Sequence, residues 1–141
     1  MPKSLTFKVA GAPIPKGALS YSKKHKRLYW TNSAKVKPWA KNIQIRAREA
    51  MSCGQEPIDM IDAPVSVRLI FIMPAHKKPS FSLPATKPDI DKLCRAVLDG
   101  LEGIVYTNDS RVTEIYIKER YAADDQEPGV TITVARDEDD E

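Results

Sequence analysis

The sequence predicts an α+β fold, a single domain in which a mixed β-sheet has two main helices packed on it. Three observations carry this expectation. Apolar residues alternate at period two, or run nearly unbroken, in several short segments, and they recur at the helical period in two longer ones. The two kinds of segment come in the order β, β, α, β, α, β, β, and no stretch repeats. At 141 residues the chain suffices for one substantial core and is too short for two ordinary domains.

In "SLTFKVAG", Leu5, Phe7 and Val9 alternate with Thr6 and Lys8, the mark of a half-buried strand, and Gly11 ends it. A Pro/Gly loop and a basic stretch follow, and the stretch ends in a short strand over Arg27 to Thr31. Asn32 or Ser33 is placed to cap a helix over residues 34–51, with Val36, Ala40, Ile43, Ala47 and Met51 near one face and Pro38 in its first turn. "PVSVRLIFIMP" is apolar almost throughout, which suits a central strand. After it comes the Pro/Ser-rich loop "AHKKPSFSLPATKPD". A second helix then begins near Asp89, with Ile90, Leu93, Cys94, Val97, Leu98 and Leu101 on one face, and stops near Gly100 or Gly103. "TNDS" reads as a turn, and strands follow from Val112 and over "GVTITVAR".

Charge is distributed unevenly. Residues 1–48 hold 12 Lys and Arg and no Asp or Glu, whereas Asp137 to Glu141 are all acidic. This divides the chain into a basic domain over residues 1–136 and an acidic tail over 137–141, expected to be disordered. A basic body suits a polyanion, above all nucleic acid, although surface lysine also serves solubility alone. The apolar fraction of 42% and the absence of a long apolar run or leader pattern predict a soluble protein inside the cell. Cys53 and Cys94 make neither a metal spacing nor a disulfide framework, and Cys94 falls on the apolar face of its helix.

The chemistry concentrates in "KPDIDKLCRAVLDG". Asp89 suits an N-cap, where its oxygen would accept a backbone N–H and its charge would meet the positive end of the helix. That leaves Asp91 unexplained, with Arg95 one turn further on the polar face. Asp109 lies in the "TNDS" turn, where Asn, Asp and Ser are ordinary turn formers. Three carboxylates in loops that bracket one helix would nonetheless suit Mg²⁺, which takes oxygen ligands and needs few of them from protein. His25 and His76 have no partner at Zn²⁺ spacing.

These residues resemble the RusA-type endodeoxyribonucleases, which resolve Holliday junctions and are common in bacteria and their phages. The family pattern is approximately D-x-D-N-L-x-K-x-x-x-D-x-L, then a spacer with a glycine, then D-D-x-x-V before a strand. "DIDKLCRAVLDGL" and "NDSRV" match it in register, and the likeness is strongest over residues 87–121. "GAPIPKG" and the basic helix resemble the family's opening more loosely.

The resemblance implies a RusA-like domain that cuts branched DNA in recombination and repair. It would work as a homodimer, through paired symmetric nicks, with Mg²⁺ or Mn²⁺ in its place and no small-molecule cofactor. Asp89, Asp91 and Asp109 match the family's metal-binding acids, and Arg95 stands where the family has a catalytic lysine. The implied setting is a bacterial cytoplasm, away from membranes, with the gene carried by the host, a phage or a prophage. Lys92 in place of Asn, Arg95 in place of Lys and Asn108 in place of Asp depart from the pattern. Arg stays charged, so a role that needs a compact or deprotonating ammonium is in doubt.

DNA contact is expected from Lys16, Lys23, Lys24, Lys26, Arg27, Lys77, Lys78, Lys87 and Lys92, with recognition by shape and little reading of base edges. Tyr29 and Trp30 would either stack on an unpaired base or, for Trp30, face inward from a strand. Two other readings stay open: a catalytically impaired branched-DNA-binding protein of the same fold, and an interaction protein whose basic half meets an acidic partner.

Overall fold

The structure, a computed structural model, describes residues 4–53 and 56–138. The elements in chain order are β1 (Ser4–Ala10), β2 (Leu19–Ser22), β3 (Arg27–Trp30), α1 (Ser33–Ser52), β4 (Val65–Met73), α2 (Ile90–Leu101), a 3-10 turn η1 (Asp109–Arg111), β5 (Val112–Tyr121) and β6 (Gly129–Arg136). The mixed sheet of the sequence expectation is present in the order β1-β6-β4-β5. β4 runs parallel to β5 and antiparallel to β6, which is antiparallel to β1.

Period-two alternation decides which face is covered. Leu5, Phe7 and Val9 of β1 stand beside Val134, Ile132 and Val130 of β6, and those beside Val67, Leu69 and Phe71 of β4. All nine are buried, and α1 and α2 contribute Trp39, Ile43, Ala47, Leu93, Val97 and Leu101 to the same core. Each large side chain taken out of water there contributes roughly 1.5–3 kcal/mol before entropy is counted. The opposite face carries Thr6, Lys8, Thr131, Thr133 and Arg68, so both helices lie on one side.

Several expectations need correction. β2 went unforeseen, because "LSYS" buries nothing: its hairpin with β3 is held by strand pairing, and Leu19, Tyr21, Leu28, Tyr29 and Trp30 all remain exposed. The inward reading of Trp30 therefore falls. α1 begins at Ser33, which puts Pro38 beyond the first turn, and its buried row runs through Trp39, Ile43 and Ala47 rather than through Val36 and Ala40. Gly100 is inside α2, where an added Cβ would stand 3.2 Å from Ile43 Cγ2, so its bareness sets the spacing of the two helices. Gly103, at φ +80, is the residue that lets the chain turn out of the helix.

Asp137, the first residue of the expected tail, is anchored: its N–H donates to the Pro64 carbonyl (2.8 Å) and its carboxylate accepts from the Thr113 hydroxyl. Residues 139–141 of that tail lie outside the described residues. Among the described residues, no helix is long and apolar enough to cross a membrane.

Candidate active site

α2 positions most of the site. The chain reaches it through Pro88, and Asp89 takes the extended N-cap conformation (φ −68, ψ 140), its backbone oxygen accepting from Lys92 N and Leu93 N at 3.2 Å each. The position agrees with the sequence expectation and the role does not, since the Asp89 side chain makes no capping hydrogen bond. Asp91, in the first turn, is exposed as well. Two carboxylates thus face solvent at the positive end of the helix dipole.

Asp109 approaches from the other end of α2. Tyr106 is fully buried, and its hydroxyl lies 3.1 Å from Asp109 Oδ1 and 3.2 Å from the Leu98 carbonyl, with one proton to give. The Asp109 N–H donates to Glu102 Oε2 (2.8 Å), and Asn108 Oδ1 accepts from Ser110 N (2.9 Å) to close the turn. The departure at Asn108 therefore performs the turn chemistry itself. Burial raises the Asp109 carboxyl above its ordinary value, and repulsion from Glu102 and Asp99 adds to that, while the Tyr106 hydrogen bond and the Lys16 charge oppose it. Between Asp91 and Asp109 sits the Cys94 thiol, which burial first and then those two carboxylates push up to about 11. It stays protonated and inert, a small apolar spacer between the two acids.

Cations close the third side. The Lys16 ammonium forms an ion pair with Asp99 and lies 4.5 Å from the Trp30 ring centroid; the Arg95 guanidinium lies 5.9 Å from the same ring. The strand-paired base of the hairpin makes this possible. Gly17 passes so close to Thr31 that an added Cβ would stand 1.8 Å from its carbonyl oxygen, and Lys16 N donates to the Lys92 carbonyl (3.0 Å). Asp99 was not among the expected site residues although the family pattern contains it, one turn after Arg95. The remaining basic residues divide into two groups. Lys23, Lys24 and Lys26 form the exposed turn of the β2–β3 hairpin and Arg27 begins β3, whereas Lys77, Lys78 and Lys87 line a hollow of about 580 Å³ on the far side of Pro88. Lys92 sits half-buried in the first turn of α2.

A further acid was not among the expected site residues. Glu119 of β5 pairs with Phe71 and so lies on the helix-covered face of the sheet. It lines both the 580 Å³ hollow and a neighbouring one that holds Asp89 and Asp91. Burial raises its carboxyl above the ordinary value.

Among the described residues, no three acidic, His or Cys side chains stand gathered as a ready-made metal site. The donor chemistry still fits Mg²⁺. All the candidate donors are carboxylate oxygens, and this ion characteristically uses one or two carboxylates together with waters and substrate phosphate.

An acidic centre walled by cations is the electrostatic arrangement of a protein that acts on a polyanion, since the cations draw the substrate to carboxylates that would otherwise repel it. The family model described as endodeoxyribonuclease RusA matches residues 10–135. The chain belongs to the RusA endodeoxyribonuclease family, whose members are nucleases of Holliday junctions. The uncharacterized protein YqaN of Bacillus subtilis (strain 168) is 25% identical to it over 142 aligned positions, covering 92% of this chain and 94% of that protein.

Proposed function

We propose that this protein is a Mg²⁺-dependent endonuclease that resolves four-way DNA junctions by paired symmetric nicks, acting as a homodimer. The observation that carries the reading is the pair Asp89 and Asp91: exposed carboxylates at a helix start, neither with a hydrogen-bond partner among the described residues, in a segment that matches the RusA family. A capping pair would be engaged with the backbone. This pair is available to a cation.

In this reading Asp89 and Asp91, with Asp109, hold Mg²⁺ against the scissile phosphate. The metal, when bound, supplies an activated water and charge neutralisation. Arg95, on the same helix face and braced by the Trp30 ring, directs its guanidinium at the phosphate oxygens and steadies the charge that grows on them. It remains cationic throughout, so proton transfer to the leaving oxygen falls to water or to another group. Lys16 offsets the repulsion among Asp99, Glu102 and Asp109. The hairpin lysines on one side and Lys77, Lys78 and Lys87 on the other hold the backbone of the arms. Two sites related by a two-fold axis fit the two strands of like polarity that a symmetric cut requires.

The test is cleavage of a labelled synthetic four-way junction beside a linear duplex of the same sequence, in Mg²⁺ and in chelator. The expected result is paired nicks at symmetric positions, on the junction alone and only with metal. Junction binding without nicks in Mg²⁺ or Mn²⁺ would replace this reading with the impaired branched-DNA-binding protein.

A further inference from the structure

The 580 Å³ hollow has a lining that the cleavage chemistry leaves unused. Its walls are apolar, from Met73, Pro84 and the Tyr121 ring, with Lys77, Lys78 and Lys87 at its edge. Its volume lies within the range of small-ligand sites, roughly 300–1,000 Å³. Into this apolar space the sheet places Glu119, whose Oε2 is buried and has no hydrogen-bond partner among the described residues. A buried acceptor left unpaired costs stability, and a small shift of the Glu119 side chain into the hollow would let a donor from outside the chain satisfy it.

We propose that this hollow receives the unstacked nucleobase next to the scissile phosphate and that Glu119 selects a base with an exocyclic amino group. The inference rests on the nuclease reading above and extends it to specificity. Three features argue for this occupant. The hollow adjoins the one that contains Asp89 and Asp91, sharing Glu119, Lys87 and Pro88 with it, so a nucleotide whose phosphate lies at the aspartates has its neighbour's base within the hollow's reach. The lysine rim complements the phosphates that flank an everted base. Tyr121, set edge-to-face with His76 at 6.1 Å between ring centroids, offers an aromatic wall for stacking.

The chemistry of the floor decides among bases. Cytosine, adenine and guanine bring an amino group that can donate to the Glu119 carboxylate. Thymine offers only N3–H, flanked by two carbonyl oxygens that the carboxylate repels. Bases at the centre of a four-way junction lose stacking readily, so eversion there costs less than in a duplex.

The test uses the full-length protein and a set of junctions that differ only in the base on either side of the nick. For the wild type, cleavage should favour an amino-bearing base over thymine by about tenfold at one of these positions. In Glu119→Gln, whose amide both accepts and donates, and in Glu119→Leu, the ratio should fall towards one. Thermal melts establish that the variants fold. In parallel, 2-aminopurine at that position, with chelator present to prevent cutting, should change its fluorescence on binding to the wild type and not on binding to Glu119→Leu. An unchanged base preference in both variants overturns the proposal, as does an equal loss on every junction, which would assign Glu119 to the neighbouring acids. If the wild type cuts no junction the nuclease reading fails by itself. The 2-aminopurine signal then judges the hollow independently, and an unchanged fluorescence would reject it.

Discussion

Asp109 keeps its carboxyl at a cost, because burial and the nearby Glu102 and Asp99 disfavour the ionised form. A carboxyl whose proton is held more tightly in the folded state makes folding more favourable as pH falls, and that contribution is complete below the ordinary value of 3.8. At neutral pH the charge therefore destabilises the domain. Asp109→Asn, measured in chelator, should raise the melting temperature at pH 7 while removing Mg²⁺-dependent cleavage. A fall in melting temperature would mean that the charge is compensated. Asp62 behaves in the opposite sense: hydrogen bonds from Thr107 (2.8 Å) and Arg111 (2.9 Å) hold its carboxyl below the ordinary range. Its contribution is present in full above pH 3.8 and disappears as pH falls through the depressed value. The melting temperature of Asp62→Asn should lie below that of the wild type at pH 7 and converge with it in strong acid. Asp89, Asp91, Arg95 and Asp109 were singled out through the likeness of their segment to the family pattern, which runs along the chain. Glu119 was not, since one charged residue among several in "IKERY" is marked as buried only by what packs over the sheet.

Among the elements, α2 carries both the core and the site, and its register ties one to the other. The same period that buries Leu93, Val97 and Leu101 presents Asp91, Arg95 and Asp99 on the exposed side. Gly100→Leu would force α2 away from Ile43 and should cost about 1–3 kcal/mol, read by denaturant unfolding. Gly17→Ala acts elsewhere, in the loop that delivers Lys16 to Asp99 and Trp30. Its Cβ cannot coexist with the Thr31 carbonyl, so the loop must shift, and kcat/KM on a junction should drop on the order of tenfold to a hundredfold. Wild-type cleavage by Gly17→Ala would show that Lys16 has no part in the site. Elements with a buried face were legible in the sequence, from β1 through β6. The β2–β3 hairpin was only half read, since a hairpin that buries no side chain leaves no periodic trace.

For the whole molecule, the distribution of charge matters more than its sum. A net charge of +3 conceals a basic first third and a cluster of acids around α2. The junction must therefore be held by cations that surround the acids, and binding should weaken steeply with salt. Replacing Lys23, Lys24 and Lys26 by Ala should reduce the slope of log K against log salt by about 2 to 3, measured by junction anisotropy in chelator. An unchanged slope would place the DNA away from the hairpin.

The central claim is that Asp89 and Asp91 are present for metal and not for the helix. The most direct test pairs two readings on Asp89→Asn and Asp91→Asn: junction cleavage in Mg²⁺ and junction binding in chelator. The account predicts that both variants bind the junction about as the wild type does and cut it at least a hundredfold more slowly, on the scale of lost metal-assisted chemistry. Variants that cut at the wild-type rate would contradict it and return the two carboxylates to a structural role.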